Sequence, residues 1–240
     1  MAKRIAISSV AIVCIFIAFV LVPKREFRIS VFPLRPGESV FAYDDQADGG
    51  SSVSGLSVSD STLDFACTLG GDSSRNAWCG IIWDLSADSA NKKFRYENWS
   101  LVDSIGLDVY SESEGEIIVK VWTFDPDVTK RDSLHTFRQM LKEVPLKKGR
   151  NRITLAFDEF YVPDFWFAQT GAAKELVQRH KEHVARFEIT PGWKAKRGVP
   201  MKFRFVSVFA KGTGTIELAA FLAISVCIVI VALGFFKKKR

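Results

Sequence analysis

A short acidic stretch has the clearest metal-ligand spacing in the sequence. It reads DDQADG, and Asp44, Gln46 and Asp48 occupy alternate positions ahead of a glycine. Carboxylate and amide oxygens at alternate positions are the ligands with which a calcium-binding loop begins. The glutamate that such a loop carries at its twelfth position is replaced here by Gly55. The sequence therefore leaves two interpretations open, a structural calcium site and an acidic turn.

Aromatic residues are a second group of candidate binding residues. Trp78 and Trp166 lie in segments that are typical of loops or corners, where an indole ring is free to stack on a sugar ring. Tyr43 is added to this candidate ligand site. Trp83 and Trp122 lie inside predicted strands, where large aromatic residues usually pack in the core. We therefore predict ligand binding for the first three residues and a core position for the last two.

Residues suited to catalysis are scarce. The chain has three histidines, and His180 and His183 have the i, i+3 spacing that lets one helix face hold a metal. Four lysine and arginine residues between positions 174 and 186 repel a cation, which favours a solvated helix face. The sequence contains no GxSxG, HExxH or GxxxxGK[ST] motif. We therefore expect a protein that is not an enzyme.

Cysteine placement predicts one disulfide. Cys67 and Cys79 bracket a glycine-, aspartate- and serine-rich stretch that is typical of a turn, and strand-like runs flank it. Cysteines at the facing ends of such a hairpin would oxidise outside the cytoplasm, with two buried free thiols as the alternative. Cys14 and Cys227 lie in apolar runs and are interpreted as small apolar residues.

Two apolar segments predict membrane-spanning helices. Residues 5–22 and 216–236 are long enough, as helices, to cross a bilayer. A cleaved signal peptide is the alternative for the first, but its apolar run is long and no small-residue cleavage site follows. Basic residues in the tails 1–4 and 237–240 favour cytoplasmic termini. We expect a two-pass membrane protein, in contact with lipid, whose main domain, residues 29–212, lies outside the cytoplasm.

Charge placement argues against nucleic acid as a partner. The formal net charge is +6. Once the basic residues beside the apolar segments are set aside, lysine and arginine nearly balance aspartate and glutamate. A nucleic-acid-binding domain needs a basic face of its own. The net charge is better explained by membrane topology.

Between the apolar ends, the sequence mostly alternates with a period of two. Short runs rich in Val, Ile, Phe and Trp predict strands in SVSGLSVSDSTLDFACTL, CGIIWDL, SIGLDVYSE, EIIVKVWTF, RITLAFDEF, ARFEITPG and MKFRFVSVFA. This pattern, punctuated by Gly, Pro, Asp and Ser, predicts an all-β antiparallel sandwich or jelly roll. One segment has Leu176, Val177 and Val184 at helical spacing, and it predicts an inserted surface helix that begins at Thr170 or Gly171.

Two stretches resemble the opening of galactose-binding-like jelly rolls. DGGSSVSGLSVSDSTLDFACTL and WSLVDSIGLDVYSESEGEIIVKVW are similar to the family of complex I intermediate-associated protein 30 and the carbohydrate-binding modules allied to it. There a Gly-Gly-x-Ser turn, here Gly49 to Ser52, leads a strand pair, and a run like Trp99 to Ile105 opens a core strand. The resemblance implies a galactose-binding-like jelly-roll sandwich, flanked here by two transmembrane helices. Such jelly rolls often carry a structural calcium.

The later part of the domain resembles a sensor. TFDPDVTKRDSLHTFRQMLKEVPLKKGRNRITLAFDEFYVPDFWF is similar to the extracytoplasmic sensor of certain bacterial diguanylate cyclases and histidine kinases. The cysteine pair and a corner made by Phe160, Val162, Pro163 and Trp166 recur there in the same order. In those proteins a cytoplasmic output domain follows the second span, whereas this sequence ends at Arg240. The resemblance therefore implies a protein of a bacterial inner membrane with a periplasmic sensor domain. Its output is supplied by a membrane signalling partner, or the sequence is a truncated relic of such a sensor.

Two functions from different classes follow. The first is a membrane-anchored extracytoplasmic sensory module that binds a ligand, with carbohydrate as the candidate, and has no catalytic output of its own. The second is a structural or assembly protein that binds another envelope protein and no small ligand. Stabilisation by a ligand would favour the first. A stoichiometric protein partner, without dependence on sugar or metal, would favour the second.

Overall fold

The computed structural model describes residues 25–88, 93–214, Leu222, Ser225 and Val226. Arg28–Gly212 form one compact unit, and Met1–Phe27 with Thr213–Arg240 form another. The two predicted spans, 5–22 and 216–236, lie outside the described residues apart from three isolated positions. Within the part that is described, no helix has the length and apolar character needed to cross a membrane.

Strands dominate the described residues. Their bounds are β1 (Arg25–Phe32), β2 (Ser39–Asp44), β3 (Val53–Val58), β4 (Leu63–Thr68), β5 (Cys79–Asp84), β6 (Ala87–Asp88), β7 (Lys93–Phe94), β8 (Val102–Ser111), β9 (Gly115–Thr123), β10 (Arg138–Leu146), β11 (Gly149–Ala156), β12 (Val184–Pro191) and β13 (Met201–Gly214). One α-helix (Asp164–Thr170) lies between β11 and β12. Short 3₁₀ helices cover Asp45–Asp48, Leu134–Thr136, Phe157–Glu159 and Lys181–His183.

The strands form two sheets, which we call sheet A and sheet B. Sheet A has the order β11-β8-β13-β4-β3, with β1 paired to β13 as a sixth strand. Sheet B has the order β10-β9-β12-β5-β2, and β6 pairs with β7 in a separate small ribbon. Neighbours along both of these orders are antiparallel. The predicted all-β sandwich with one helix is confirmed.

The core lies between the inner faces of the two sheets, where the period-two pattern collects apolar side chains. In β4, Leu63, Phe65 and Cys67 are buried, while the residues that alternate with them are partly exposed. Trp83 of sheet B packs edge-on against Phe187 of the same sheet and Phe205 of sheet A, with ring centroids 5.4 and 6.2 Å apart. The predicted core position of Trp83 is confirmed.

The disulfide between Cys67 and Cys79 is present, with 6.2 Å between the two Cα atoms. Its surroundings differ from the prediction, because β4 and β5 do not form a hairpin. Strand β4 pairs with β3 and β13 in sheet A, whereas β5 pairs with β2 and β12 in sheet B. The segment between the cysteines therefore crosses from one sheet to the other, and the disulfide joins the two layers.

The helix lies earlier in the chain than predicted. It covers Asp164–Thr170 and ends at Gly171, whose φ of 71° is a left-handed conformation that suits glycine. The segment predicted to be helical contains instead the 3₁₀ turn Lys181–His183 and then β12 from Val184 onward. The helical spacing of its apolar residues does not persist into β12, where Ala185, Phe187 and Ile189 follow the strand period of two.

Candidate functional site

A groove of about 440 Å³ crosses the face of sheet B that points away from sheet A. We call it the sheet B groove. The strand period creates it, because Ile117, Val119 and Val121 of β9 are buried in the core while Lys120 and Trp122 line the groove. Strands β5 and β12 contribute to the lining in the same way. The outer face of sheet B thus presents polar and aromatic side chains together with aliphatic ones such as Ile118.

The floor of the groove is organised around Glu188, whose side chain is only 1% exposed. One carboxylate oxygen accepts hydrogen bonds from the Tyr43 hydroxyl and from Lys120 Nζ, the latter at 2.8 Å. The other oxygen accepts from Trp122 Nε1 at 2.6 Å. Burial and the neighbouring Glu188 carboxylate raise the pKa of Tyr43 well above its usual value. The tyrosine therefore stays a neutral donor, and the three groups around Glu188 are held in fixed positions.

Arg186 completes the floor beside Trp122. Its guanidinium lies over the indole ring, 5.7 Å from the ring centroid, in a cation–π arrangement. One terminal nitrogen is 3.5 Å from an oxygen of Asp84, which is a long contact. Gln139 and Thr190 also line the groove. The floor therefore presents several side-chain donors beside an aromatic face.

Trp78 is exposed on one wall of the groove, with 38% of its surface accessible. Its backbone N–H donates to the carboxylate of Asp45 at 3.2 Å, and the disulfide partner Cys79 follows it directly. Asp45 is itself buried. Burial alone would raise the pKa of the Asp45 carboxyl, but hydrogen bonds from Ser52 and Trp78 bring it below its usual value. A buried carboxylate and a disulfide thus hold the segment that carries this indole.

Trp193 is the second exposed indole of the groove, with 60% of its surface accessible. Its Nε1 donates to Glu143 Oε1 at 2.9 Å, and the Tyr161 hydroxyl donates to the same oxygen. Burial and the Glu143 carboxylate raise the pKa of Tyr161 to about 12. The carboxylate therefore fixes the orientation of a ring that is otherwise open to solvent.

The structure brings together some of the predicted ligand residues and separates others. Tyr43 and Trp78 both line the sheet B groove. Trp166 does not, because its side chain is fully buried, its Nε1 donates to the carbonyl of Phe137 at 2.7 Å, and the guanidinium of Arg138 lies 4.8 Å from its ring centroid. The prediction that Trp166 is an accessible stacking residue is wrong. It is instead the buried packing residue of the short helix Asp164–Thr170.

Trp122 and Trp193 were missed as groove residues. Trp122 was predicted to be a core residue, but its position on β9 alternates with the buried valines and places it on the outer face. The strand period contained this information, since Val119 and Val121 are apolar and Lys120 is not. Trp193 follows Pro191-Gly192, a turn sequence that indicates an exposed position after a strand.

Two of the three predicted calcium ligands, Asp44 and Gln46, have other hydrogen-bonding roles in this structure. Asp44 caps the 3₁₀ helix Asp45–Asp48 by accepting from Gln46 N, and its second oxygen accepts from Ser54 N and Oγ at 2.9 Å. Gln46 Nε2 donates to the carbonyl of Ser52 at 2.9 Å. Among the described residues, no cluster of three His, Cys, Asp or Glu side chains is placed to hold a metal. A bound calcium stays a prediction.

A larger groove of about 880 Å³ lies on the outer face of sheet A. Its charged side chains pair with one another, as Arg204 does with Asp64 at 2.6 Å. Its most exposed aromatic residue, Tyr110, has the guanidinium of Arg150 at 5.5 Å from the ring centroid. These residues form the cross-strand pairs of a solvated sheet face. The sheet B groove, with two exposed indoles and a buried carboxylate in its floor, is the better candidate site despite its smaller volume.

Comparison with known proteins supports the fold. No protein-family profile matches the chain, and no curated protein matches it. A family 11 carbohydrate-binding module from Clostridium thermocellum, solved in complex with a β-1,3-1,4-mixed-linked tetrasaccharide, is similar in structure with a TM-score of 0.50 and 11% identity, over 78% of this chain and 96% of that one. The family 11 module of a cellulosomal cellulase of Clostridium thermocellum gives a TM-score of 0.51 and 11% identity, over 80% and 96%. The resemblance to sensor domains and to complex I intermediate-associated protein 30 stays a prediction. The chain is similar to carbohydrate-binding modules in its jelly-roll sandwich fold.

Proposed function

We propose that the sandwich binds carbohydrate in the sheet B groove. The observation that carries the proposal is the pair of exposed indoles, Trp78 and Trp193, above a floor of fixed polar groups. The apolar faces of sugar rings stack on indoles, and sugar hydroxyls need hydrogen-bonding partners beside the ring. Lys120, Gln139 and Arg186 lie where such partners are required. The fold likeness to a module that was solved with a bound tetrasaccharide supports this proposal.

We also propose that the module is held at a membrane and has a sensory role. The apolar segments 5–22 and 216–236 and the basic residues beside them support two membrane spans with cytoplasmic termini. Residues 29–212 would then lie in the periplasm of a bacterial cell. In this proposal a membrane signalling partner produces the response to a bound sugar.

Isothermal titration of the full chain tests carbohydrate binding. The protein is purified in a detergent without a sugar headgroup and titrated with neutral and acidic oligosaccharides. A Trp78→Ala variant should bind the preferred sugar about thirtyfold more weakly, since truncating a central aromatic residue of a binding site costs about 2 kcal/mol. Tyr110→Ala is the matched control, because Tyr110 is 40% exposed on the outer face of sheet A and should leave the affinity unchanged.

A negative result has a defined meaning. If the folded chain binds no oligosaccharide, the carbohydrate proposal is wrong and the assembly alternative gains weight. That alternative predicts an envelope protein that co-purifies with the chain at fixed stoichiometry. Its interaction should not change when divalent ions or sugars are added.

A further inference from the structure

The sheet B groove carries an excess of positive charge. Three cationic side chains line it, Lys120, Arg186 and Arg197, and Glu188 is the one carboxylate among the described residues of the lining. Two further carboxylates border the groove without lining it: Asp84 lies 3.5 Å from Arg186, and Glu143 accepts from Trp193 Nε1 at 2.9 Å. The side chains that line the groove therefore carry more positive than negative charge.

The carboxylate of Glu188 is already hydrogen-bonded to other side chains of the protein. Glu188 is buried, and its two oxygens accept hydrogen bonds from Tyr43, Lys120 and Trp122. A carboxylate has about four acceptor positions, so three donors use most of its capacity. Because it is buried beneath these groups, it does not offer a strong acceptor to an incoming hydroxyl.

The cationic side chains keep donors for a ligand. The ammonium of Lys120 has three hydrogens, of which one is used by the bond to Glu188. Arg186 makes only a 3.5 Å contact to Asp84 while its guanidinium lies over Trp122. Arg197 donates through Nη1 to the carbonyls of Gly70 and Asp72. A planar guanidinium has five N–H groups in a fork that matches a carboxylate, so both arginines retain donors.

We propose that the natural ligand is an acidic glycan, a polysaccharide whose sugar units carry carboxylate groups. This inference rests on the proposed carbohydrate-binding function and adds the chemical class of the sugar. The indoles stack on the sugar rings, and Lys120 and Arg186 receive the carboxylates. A neutral glucan would leave these cations without the strong acceptors that compensate their loss of water.

The experiment compares pairs of sugars with the same ring type, in which one member carries carboxylates and the other is neutral. The full chain, in a detergent without a sugar headgroup, is titrated at low salt with oligogalacturonate and with the same oligomer after methyl esterification. Oligomannuronate and an uncharged mannose oligomer form a second matched pair. We expect the acidic member of at least one pair to bind at least tenfold more tightly, and the difference to shrink as sodium chloride screens the charges.

Substitutions test which arginine is responsible for the preference for acidic sugars. Arg186→Gln should weaken binding of the acidic sugar about tenfold more than binding of its neutral counterpart, because the interaction with a carboxylate is lost only for the acidic member of the pair. Arg150→Gln is the control, since Arg150 pairs with Asp108 on the outer face of sheet A and should have no effect on either sugar.

The outcomes separate the inference from the proposed function. If neutral sugars bind as tightly as acidic ones and Trp78→Ala abolishes this binding, the groove is a carbohydrate site but the acidic-glycan inference is wrong. If Arg186→Gln weakens both members of a pair equally, the arginine acts on the groove as a whole and the inference is again wrong. If no sugar of either kind binds to folded protein, the carbohydrate function fails, and the inference fails with it.

Discussion

The buried carboxylate of Asp125 joins parts of the chain that are distant in sequence. Arg138 Nε donates to it at 2.9 Å, and both side chains are only 1% exposed. The same guanidinium donates to the carbonyl of Leu176 at 2.7 Å and lies over the ring of Trp166. One ion pair thus holds the end of β10, the short helix and the loop after it. A buried guanidinium without its carboxylate has no water to replace the lost partner.

Asp125→Asn should therefore lower the free energy of unfolding by about 3 kcal/mol, the lower end of the cost of breaking a buried ion pair. Urea unfolding followed by circular dichroism measures it. Asp108→Asn is the matched control, because Asp108 pairs with the half-exposed Arg150, and it should cost less than about 1 kcal/mol. Equal losses in the two variants would show that burial does not set the strength of the Asp125 pair.

Single residues also show what the sequence can predict about a binding site. Loop-like surroundings correctly placed Trp78 at an accessible position but wrongly placed Trp166 there. The difference lies in partners that are far away in sequence, since Trp166 is covered by Arg138 and bonded to Phe137. Glu188 was not singled out at all, because its importance comes from donors on β2 and β9. The alternation of apolar and polar residues within one strand does not show which side chains of other strands will lie beside it.

The strand period predicted most strands but not which strands pair with each other. The glycine at position 106 illustrates how tightly two neighbours in sheet A fit. It lies opposite Phe209 of β13, and a Cβ added to Gly106 would be 2.1 Å from that ring. The phenyl ring therefore occupies the space that a side chain on β8 would need. The predictions of a β4–β5 hairpin and of a later helix were wrong for a related reason. The sheet that a strand joins and the residue at which a helix ends depend on contacts between residues that are distant in sequence.

Gly106→Ala should lower the free energy of unfolding by about 1–3 kcal/mol, the usual cost of overpacking. Gly55→Ala, also in sheet A, is the control, because nothing lies within 4 Å of a Cβ added there; it should change stability by less than about 0.5 kcal/mol. Chemical denaturation of the two variants in parallel provides the comparison. If Gly106→Ala proves as harmless as Gly55→Ala, Phe209 does not occupy that space in solution.

The Cys67–Cys79 disulfide links the two sheets of the sandwich near the wall of the sheet B groove. It closes a segment with a sequence separation of 12, and Trp78 belongs to that segment. The composition of the segment correctly predicted a turn and an oxidised pair. It did not reveal that the turn passes between layers, because both a hairpin and a crossover are built from the same glycine, serine and aspartate residues.

Replacing both Cys67 and Cys79 by serine should lower the free energy of unfolding by about 3 kcal/mol, since the link restricts the unfolded chain. Urea unfolding of the oxidised chain and of the double variant measures this loss. Reductant should lower the stability of the natural chain by a similar amount and leave the double variant unchanged. A natural chain that is indifferent to reductant, with both thiols free to alkylation, would rule out the bridge.

Strand β13 has a consequence for how the protein is made. It is the last strand described along the chain, yet it lies in the middle of sheet A between β8 and β4 and also pairs with β1. A nascent chain that has been synthesised only as far as Met201 therefore holds the β3–β4 and β8–β11 pairs as separate pieces. Each piece has an open edge that another chain could pair with. Sheet A is thus completed only after almost the entire domain has been translated. Until then, the open strand edges of the growing chain must be kept from pairing with other chains.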